Sequence, residues 1–252
     1  MTMPRVAFVT GAGRGIGRAI ARRLAEGDVA VGVTDVDGTA AARVAEEIRA
    51  SGGRAVAALA DVTRAETLES ALATLEAALG PVDLLVNNAG WDRLEPFMEN
   101  DPALWDRLIA INLKGPLWTT RVVLAGMLER GVGRVVNVAS DAGRVGSMGE
   151  VVYSACKAGV IGFTKSLARE TARRGVTVNC VCPGPTETAL LDEVRSSDRG
   201  AKVMQAVGRA IPLGRFGTPD DVAGAVAYFA SDEAAYVTGQ VLSVSGGLTM
   251  AG

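Results

Sequence analysis

The stretch Val6-Ala-Phe-Val-Thr-Gly-Ala-Gly-Arg-Gly-Ile-Gly17 decides the fold. Its first four residues are apolar without interruption, as in a strand that is buried on both faces, and glycines follow at every second position from 11 to 17. A helical pattern then runs from about Ile16 to Glu26, with Ile20 and Leu24 on one stripe. A strand, a glycine-rich turn and a helix in direct succession predict the first unit of a doubly wound α/β sheet, in which the helix N-terminus faces a dinucleotide pyrophosphate.

The spacing of the glycines predicts a dinucleotide loop of the less common register. Gly11, Gly15 and Gly17 fit the pattern G-x-x-x-G-x-G. Ile16 stands where the commoner G-x-G-x-x-G spacing, counted from Gly11, requires a glycine. The loop also contains one cation, Arg14.

Asp35 predicts which nucleotide this loop takes. It ends the second expected strand, Val29 to Thr34, at the distance where a carboxylate accepts hydrogen bonds from the two hydroxyls of an adenosine ribose. The same carboxylate repels a 2′-phosphate. Arg14 favours a 2′-phosphate, but residues 36–39 offer no second cation. We therefore expect NAD rather than NADP.

Strands and helices alternate along the rest of the chain, without internal repeats or linkers. This alternation predicts one α/β domain over residues 1–252, a doubly wound (Rossmann) sheet of seven parallel strands with helices on both faces. We expect a cofactor-binding part at about 1–140, then a catalytic helix and substrate loop at about 140–212, with residues 186–209 as a mobile helical lid. The remaining strands are expected at Arg54–Leu59, Val82–Val86, Arg134–Ala139, Val176–Val181 and Val241–Val244.

Composition excludes several kinds of function. The 252 residues include no histidine, which removes Ser-His-Asp hydrolysis, Cys-His proteolysis and His-ligated zinc. A net charge of -2 and the lack of basic runs argue against a nucleic-acid or membrane surface, so small molecules or copies of the same chain are the expected partners. No apolar run approaches a membrane span, no metal site is indicated, and Cys156, Cys180 and Cys182 fit core positions. We expect a cytoplasmic protein.

Tyr153 and Lys157 form a candidate acid/base centre. They lie four residues apart in a helix expected from about Val152 to Arg173, so both side chains point into the same space. A nearby ammonium favours the phenolate and brings a weak acid toward neutral pH. The same spacing also fits a half-buried tyrosine and a lysine on an ordinary amphipathic helix.

Other polar residues follow expected strands or interrupt an apolar helix face. Asp61 and Val62 lie where an adenine would rest, and Asp61 is placed to accept from the adenine amino group, to cap the helix expected at Glu66–Leu79, or to do both. The segment Asn87 to Gly90 suits a backbone that bounds a ligand crevice. Asn112 interrupts an apolar helical face, and Ser140 follows the fifth strand.

Taken together, these positions resemble the short-chain dehydrogenase/reductase family along essentially the whole chain. The matching residues are Thr10 to Gly17, Asp61, Asn87 to Gly90, Asn112, Ser140, Tyr153, Lys157, Pro183, Gly184 and Thr188.

The resemblance implies a role for each catalytic residue. Tyr153 is the implied general acid/base, and Ser140 donates a hydrogen bond to the substrate oxygen. Lys157 lowers the pKa of Tyr153 and holds the nicotinamide ribose, while Asn112 anchors a proton-relay water. The implied cofactor contacts are Gly11, Arg14, Gly15, Ile16, Gly17, Asp35, Asp61, Val62, Asn88, Ala89, Gly90, Tyr153, Lys157, Pro183, Gly184, Thr186 and Thr188.

The implied reaction is NAD-dependent oxidation of a secondary alcohol to a ketone. A narrower resemblance, to dehydrogenases of cyclic β-hydroxyacyl-CoA thioesters such as 2-hydroxycyclohexanecarboxyl-CoA, implies a CoA thioester as the substrate. The stretches that carry it are 88–92, 139–146, 181–186, 188–191 and 243–250. The candidate substrate contacts are Trp91, Arg144, Met148 and Glu150. Arg195, Lys202 and Arg209 either meet CoA phosphates or form a solvated helix face.

Three alternatives stay open at this point. A 3-oxoacyl-[acyl-carrier-protein] reductase fits the same motifs, although such enzymes usually favour NADPH and Asp35 counts against that cofactor. A general β-hydroxyacyl or secondary alcohol dehydrogenase also fits. A sensor that binds NAD without turnover is disfavoured because it does not need proton-transfer residues. The family resemblance further implies a homotetramer, with the helices around 102–130 and 153–173 on one two-fold axis and the C-terminal strand on another.

Overall fold

The computed structural model describes residues 6–196 and 198–251. Seven strands form one parallel sheet in the order β3-β2-β1-β4-β5-β6-β7, which confirms the predicted doubly wound architecture. Arg5, the expected start of the first strand, lies outside the described residues. The strands are β1 Val6–Val9, β2 Ala30–Asp35, β3 Ala55–Leu59, β4 Leu84–Asn87, β5 Gly133–Val138, β6 Val176–Pro183 and β7 Val241–Val244.

Helices connect successive strands and cover the sheet. Short 3₁₀ turns lie at Phe97–Glu99, Ala172–Arg174 and Asp232–Ala234. The α-helices are α1 Gly15–Glu26, α2 Gly38–Ala50, α3 Ala65–Leu79, α4 Pro102–Ile109, α5 Gly115–Arg130, α6 Ala142–Val145, α7 Val151–Thr171, α8 Ala189–Arg195, α9 Asp198–Ala210 and α10 Pro219–Ala230. Among the described residues, no helix combines the length and apolar composition that crossing a membrane requires.

Both faces of the sheet are buried, which explains the uninterrupted apolar run in β1. Successive side chains of a strand point to opposite faces. Ala7 and Val9 therefore pack in the cluster that includes residues of α1, α2 and α10. Val6 and Phe8 pack in the cluster that includes residues of α3, α5 and α7. A strand covered on both sides needs no polar positions.

The strand order reverses between β1 and β4, and this opens a crevice beyond their carboxyl ends. Because all seven strands are parallel, residues that follow β1, β2, β4, β5 and β6 meet at one edge of the sheet. The candidate site residues follow these strand ends or lie on the helices beside them.

The structure differs from expectation in three connections. The segment predicted as one helical lid contains two helices, α8 and α9, and its mobility stays a prediction. The helix that begins at Pro102 ends in a π-helical turn, Ala110–Lys114. The glycine-rich loop after Ser140 contains the four-residue helix α6.

Candidate active site

The glycine loop presents backbone amides to the crevice. Gly11 has a φ of 61°, which side-chain-bearing residues rarely adopt, and a Cβ at Gly17 would collide with the carbonyl oxygen of Gly11. Arg14 is the extended N-cap of α1, yet it makes no side-chain capping bond, and the first turn of α1 carries no acid. The amides of that turn are therefore suited to a phosphate. These features fit the pyrophosphate of a nicotinamide dinucleotide.

Asp35 is fixed at the end of β2 with its carboxylate against the glycine loop. Oδ2 accepts a hydrogen bond from the amide of Gly13 at 2.9 Å, and Oδ1 accepts one from the amide of Asp37 at 3.0 Å. Carboxylate oxygens can accept further bonds, and Asp35 is half-buried, so the group can still meet a ligand. Arg14 is exposed on the same loop.

Asn88 ties the glycine loop to the end of β4. Its Nδ2 donates to the carbonyl oxygens of Thr10 and Gly11, both at 3.0 Å. The amides of Asn88 and Ala89 both donate to the hydroxyl of Thr10, also at 3.0 Å. The two strand ends that bound the crevice are therefore locked together, with the two halves of the sheet in a fixed relation.

Asp61 closes a turn instead of capping a helix. Its Oδ1 accepts from the amide and the hydroxyl of Thr63, at 2.9 and 2.7 Å. The next helix, α3, begins at Ala65 with Arg64 as its N-cap, so the expectation that Asp61 caps it is wrong. Val62 is buried against Gly115. A contact of this turn with adenine stays a prediction.

Ser140, Tyr153 and Lys157 come together beyond β5. The Ser140 hydroxyl accepts from the amide of Ala142 at 3.1 Å and lies close enough to the Tyr153 phenol to lower its pKa. Lys157 is 3% exposed, its Nζ donates to the carbonyl oxygen of Val138 at 3.0 Å, and it lies 5.5 Å from the centroid of the Tyr153 ring. The helical spacing thus brings a phenol, a hydroxyl and an ammonium to one place.

The acidity of Tyr153 depends on its burial and on nearby carboxylates. Burial raises the pKa of Tyr153 above its ordinary value, and the charges of Asp92 and Glu150 raise it further, while the Ser140 hydroxyl opposes them. Burial also lowers the pKa of Lys157. The net shift is upward, because the cost of burying a phenolate and the two nearby carboxylates prevail, and the implied lowering of the Tyr153 pKa by Lys157 stays a prediction.

Asn112 lies in the π-helical turn and is fully buried. Its Oδ1 accepts from the amide of Trp91 at 3.2 Å, and its Nδ2 donates to the carbonyl oxygens of Trp91 and Leu108 at 2.7 and 3.1 Å. A Cβ at Gly90 would lie 3.1 Å from this Oδ1 and 3.5 Å from the Nζ of Lys157. Asn112 thus holds the segment after β4 against Lys157, and its contact with a relay water stays a prediction. Single π turns are frequent at functional sites.

The segment after β6 folds back toward the glycine loop. The Thr186 hydroxyl donates to the carbonyl oxygen of Gly184 at 2.9 Å, and the Thr188 hydroxyl donates to that of Thr186 at 3.3 Å. A Cβ at Gly15 would lie 3.7 Å from the Cγ2 of Thr188. The chain from Pro183 onward therefore borders the crevice opposite β4.

The four expected substrate contacts do not share one environment. Trp91 is half-buried, and the guanidinium of Arg107 lies 3.9 Å from its ring centroid. Met148 is exposed, and Glu150 precedes α7. Arg144 donates to the hydroxyl of Ser243 and to the carbonyl oxygen of residue 251, so its guanidinium holds the C-terminal segment, and its substrate contact stays a prediction.

The three expected CoA-phosphate contacts also differ. Arg195 makes two hydrogen bonds to the carboxylate of Glu187, at 2.8 and 3.1 Å, and its guanidinium lies 4.5 Å from the ring centroid of Phe216. Lys202 and Arg209 are exposed on α9. Only the latter two fit the description of exposed cations, and a phosphate contact for them stays a prediction.

Comparison with known proteins agrees with this geometry. A family model described as enoyl-(acyl carrier protein) reductase matches residues 11–249. The 3-oxoacyl-[acyl-carrier-protein] reductase of Vibrio harveyi is 43% identical over 247 residues, which cover 98% of this chain and 98% of the relative. The chain belongs to the short-chain dehydrogenase/reductase family. It is an NAD(P)-dependent oxidoreductase that acts on CH–OH groups.

Two further members of the family show the breadth of the likeness. The (2S)-[(R)-hydroxy(phenyl)methyl]succinyl-CoA dehydrogenase subunit of Thauera aromatica is 39% identical, over 98% of this chain and 97% of the relative. A crystal structure of actinorhodin polyketide ketoreductase with NADPH superposes with a TM-score of 0.92 at 41% identity, and covers 97% of each chain. The names of these three relatives therefore refer to substrates of different kinds: one on an acyl carrier protein, one that is a CoA thioester and one that is a polyketide.

In this short-chain dehydrogenase/reductase, sequence reasoning missed one residue of the site. Asp92 directly follows Trp91, is buried, and contributes to the pKa of Tyr153. Its signal in the sequence was weak. A single acid two residues beyond the Asn-Asn-Ala-Gly segment has no helical or strand period that would assign it a partner.

Proposed function

We propose that this chain interconverts a 3-hydroxyacyl thioester and the corresponding 3-oxoacyl thioester, with NAD as the cofactor. The observation that carries the proposal is the meeting of Tyr153, Ser140 and Lys157 beyond β5, next to a glycine loop suited to a pyrophosphate. Support for a thioester comes from two relatives whose names specify an acyl-carrier-protein and a CoA substrate.

In this proposal the residues move one proton and stabilise one oxygen. During oxidation the phenolate of Tyr153 accepts the proton of the substrate hydroxyl, and the Ser140 hydroxyl donates to the same substrate oxygen as charge develops on it. Lys157 places its positive charge beside the phenolate, and Asn112 keeps the Trp91 backbone in position. Nicotinamide, when bound, accepts a hydride in this direction and supplies one in the other. Reduction returns the proton from Tyr153 to the oxygen.

The proposed preference for NAD rests on Asp35. Its charge is held by two backbone amides at the end of β2, where an adenosine ribose would lie in this fold. A 2′-phosphate there would face a carboxylate at short range, which is costly in a partly buried site. The remaining implied cofactor contacts, from Gly11 to Thr188, belong to the same proposal.

A cyclic β-hydroxyacyl-CoA is a second candidate substrate. The half-buried ring of Trp91 next to the site favours it, because an aromatic face packs well against a saturated or aromatic ring. A relative whose named substrate carries both a phenyl group and CoA points the same way.

The test is a panel of initial rates with purified protein. The substrates are 3-hydroxybutyryl-CoA, racemic 2-hydroxycyclohexanecarboxyl-CoA, acetoacetyl-acyl-carrier-protein and simple secondary alcohols, each with NAD(H) and NADP(H). We expect kcat/KM for the best thioester to exceed that for free alcohols by at least about tenfold. Equal rates with free alcohols would reject the thioester proposal. Tyr153→Phe is the matched inactive control, because it removes only the phenol oxygen.

We also propose that residues 1–140 chiefly bind the cofactor and residues 140–212 supply the catalytic helix and substrate loop. The assembly we propose is a homotetramer, for which exposed apolar residues on α5 and on the edge strand β7 give support. A cytoplasmic location stays a prediction.

A further inference from the structure

Asp92 is a buried acid next to a second acid. It is 7% exposed and interacts with the carboxyl group of Glu150, which directly precedes α7. The two segments are held together nearby, because the amide of Glu95 donates to the carbonyl oxygen of Gly149 at 2.9 Å. The contact between the carboxyl groups is therefore fixed by the backbone around it.

The environment of Asp92 favours a proton on the pair. Two neighbouring carboxylates cannot both ionise cheaply, so their interaction favours a proton on one of them. Oδ1 of Asp92 is buried and has no hydrogen-bond partner among the described residues. A charged oxygen in that position would cost far more than a neutral one. Burial and the charge of Glu150 raise the pKa of Asp92 to about 8, against the opposing effects of the Arg93 amide and Lys157.

The pair also faces the catalytic phenol. Asp92 and Glu150 are, after burial, the strongest influences that keep the proton on Tyr153. Ser140 opposes them, and Cys182 acts weakly in the same direction as the acids. Lys157 contacts the ring from the next turn of α7.

We propose that Asp92 and Glu150 share one proton and act as a positioning pair that controls the proton equilibrium of Tyr153. This inference rests on the use of Tyr153 as acid/base in the proposed function, but not on the choice of substrate. When the shared proton leaves, the net charge of the pair changes from minus one to minus two. The added charge disfavours the phenolate, so the pair keeps Tyr153 protonated to higher pH.

The proposal predicts the direction in which the pH profile of oxidation should shift. Oxidation requires the phenolate, so kcat/KM for oxidation rises with pH as Tyr153 loses its proton. Asp92→Asn removes a negative charge beside Tyr153 and should move this rise to lower pH, by about half a unit or more. Reduction requires the protonated phenol, and its decline at high pH should move in the same direction.

The first experiment follows the proton directly. Infrared difference spectra of the ligand-free protein at about pH 6 should show a protonated carboxyl band that titrates away toward alkaline pH. The band should be absent in Asp92→Asn. In Glu150→Gln it should titrate at lower pH, because the neighbouring charge is gone. A wild-type protein without the band, or one whose band survives Asp92→Asn, overturns the proposal.

The second experiment compares pH profiles of oxidation for the same variants. Glu99→Gln is the matched control, because it removes an exposed carboxylate from the same loop. Its profile should coincide with that of the wild type, and the two site variants should shift to lower pH. If the profiles of both site variants are unshifted, or if their rates are lower by the same factor at every pH, the pair is only a structural contact and the proposal is wrong. Since the infrared measurement needs no substrate, failure of the thioester proposal would leave it interpretable.

Discussion

At the scale of single residues, Asp35 has two tasks that can be separated. It accepts from the amides of Gly13 and Asp37, and in the function that we propose its charge opposes a 2′-phosphate. Asp35→Asn keeps the shape and an acceptor oxygen but removes the charge. We expect the ratio of kcat/KM for NAD to that for NADP to fall by at least about tenfold, measured from initial rates with both nucleotides.

Asp37→Asn is the control for this change. Asp37 caps α2 by accepting from the amides of Thr39 and Ala40, and asparagine caps helices equally well. The control therefore removes the same charge two residues away without loosening the helix. If both variants changed the nucleotide ratio alike, general electrostatics rather than the placement of Asp35 would set the preference.

Sequence reasoning found contacts between residues that are close along the chain. It missed contacts between residues that are far apart along the chain. Tyr153 and Lys157 are one helical turn apart, so their proximity follows from local geometry. Asp92 meets Glu150 only after three helices and a strand have packed, and Arg144 meets the C-terminal segment in the same way. No local period encodes such contacts or the burial that, with Asp92 and Glu150, raises the pKa of Tyr153.

At the scale of elements, the glycine loop depends on close approach as much as on backbone freedom. A Cβ at Gly17 would collide with the carbonyl oxygen of Gly11 and with the Asn88 side chain that ties the loop to β4. Gly17→Ala should therefore weaken NAD binding by at least about tenfold and cost about 1–3 kcal/mol of stability. Isothermal titration calorimetry and thermal unfolding measure the two effects.

Gly224 provides the matching control in another helix. It lies exposed within α10, and a Cβ there would meet nothing within 4 Å. Gly224→Ala should raise stability by about 0.5–1 kcal/mol and leave NAD affinity unchanged. A loss of binding in both variants would show that the loop is not specifically sensitive at Gly17.

Regular elements could be predicted from the sequence more readily than local departures from regular geometry. β7 was expected at Val241–Val244, where it lies, because a short apolar run between turn residues has few alternatives. The π turn at Ala110–Lys114 was not expected, since its sequence is compatible with an α-helix. The tertiary bonds of Asn112 to the backbone of Trp91 accompany that turn, and these are invisible to a local pattern.

At the scale of the whole molecule, parallel strands turn scattered residues into one site. The doubly wound architecture of the sheet could be predicted because buried parallel strands and right-handed crossovers leave few topologies. Convergence at the carboxyl ends follows from that order alone. The protonation states of the residues there depend on burial, which no spacing in the sequence specifies.

The proposed homotetramer predicts that exposed apolar residues of one chain are buried against a second chain. Trp118 is 42% exposed on α5, next to Leu117, which is also exposed, and a tetramer of this family would bury such residues around a two-fold axis. Trp118→Glu would place like charges opposite each other in that interface, where unpaired charge is costly. We expect light scattering after size exclusion to give the mass of four chains for the wild type and of fewer for Trp118→Glu. Leu59→Glu, an exposed change on the edge strand β3, should remain tetrameric. A tetramer that survives Trp118→Glu would place the contact elsewhere, and a monomeric wild type would reject the assembly.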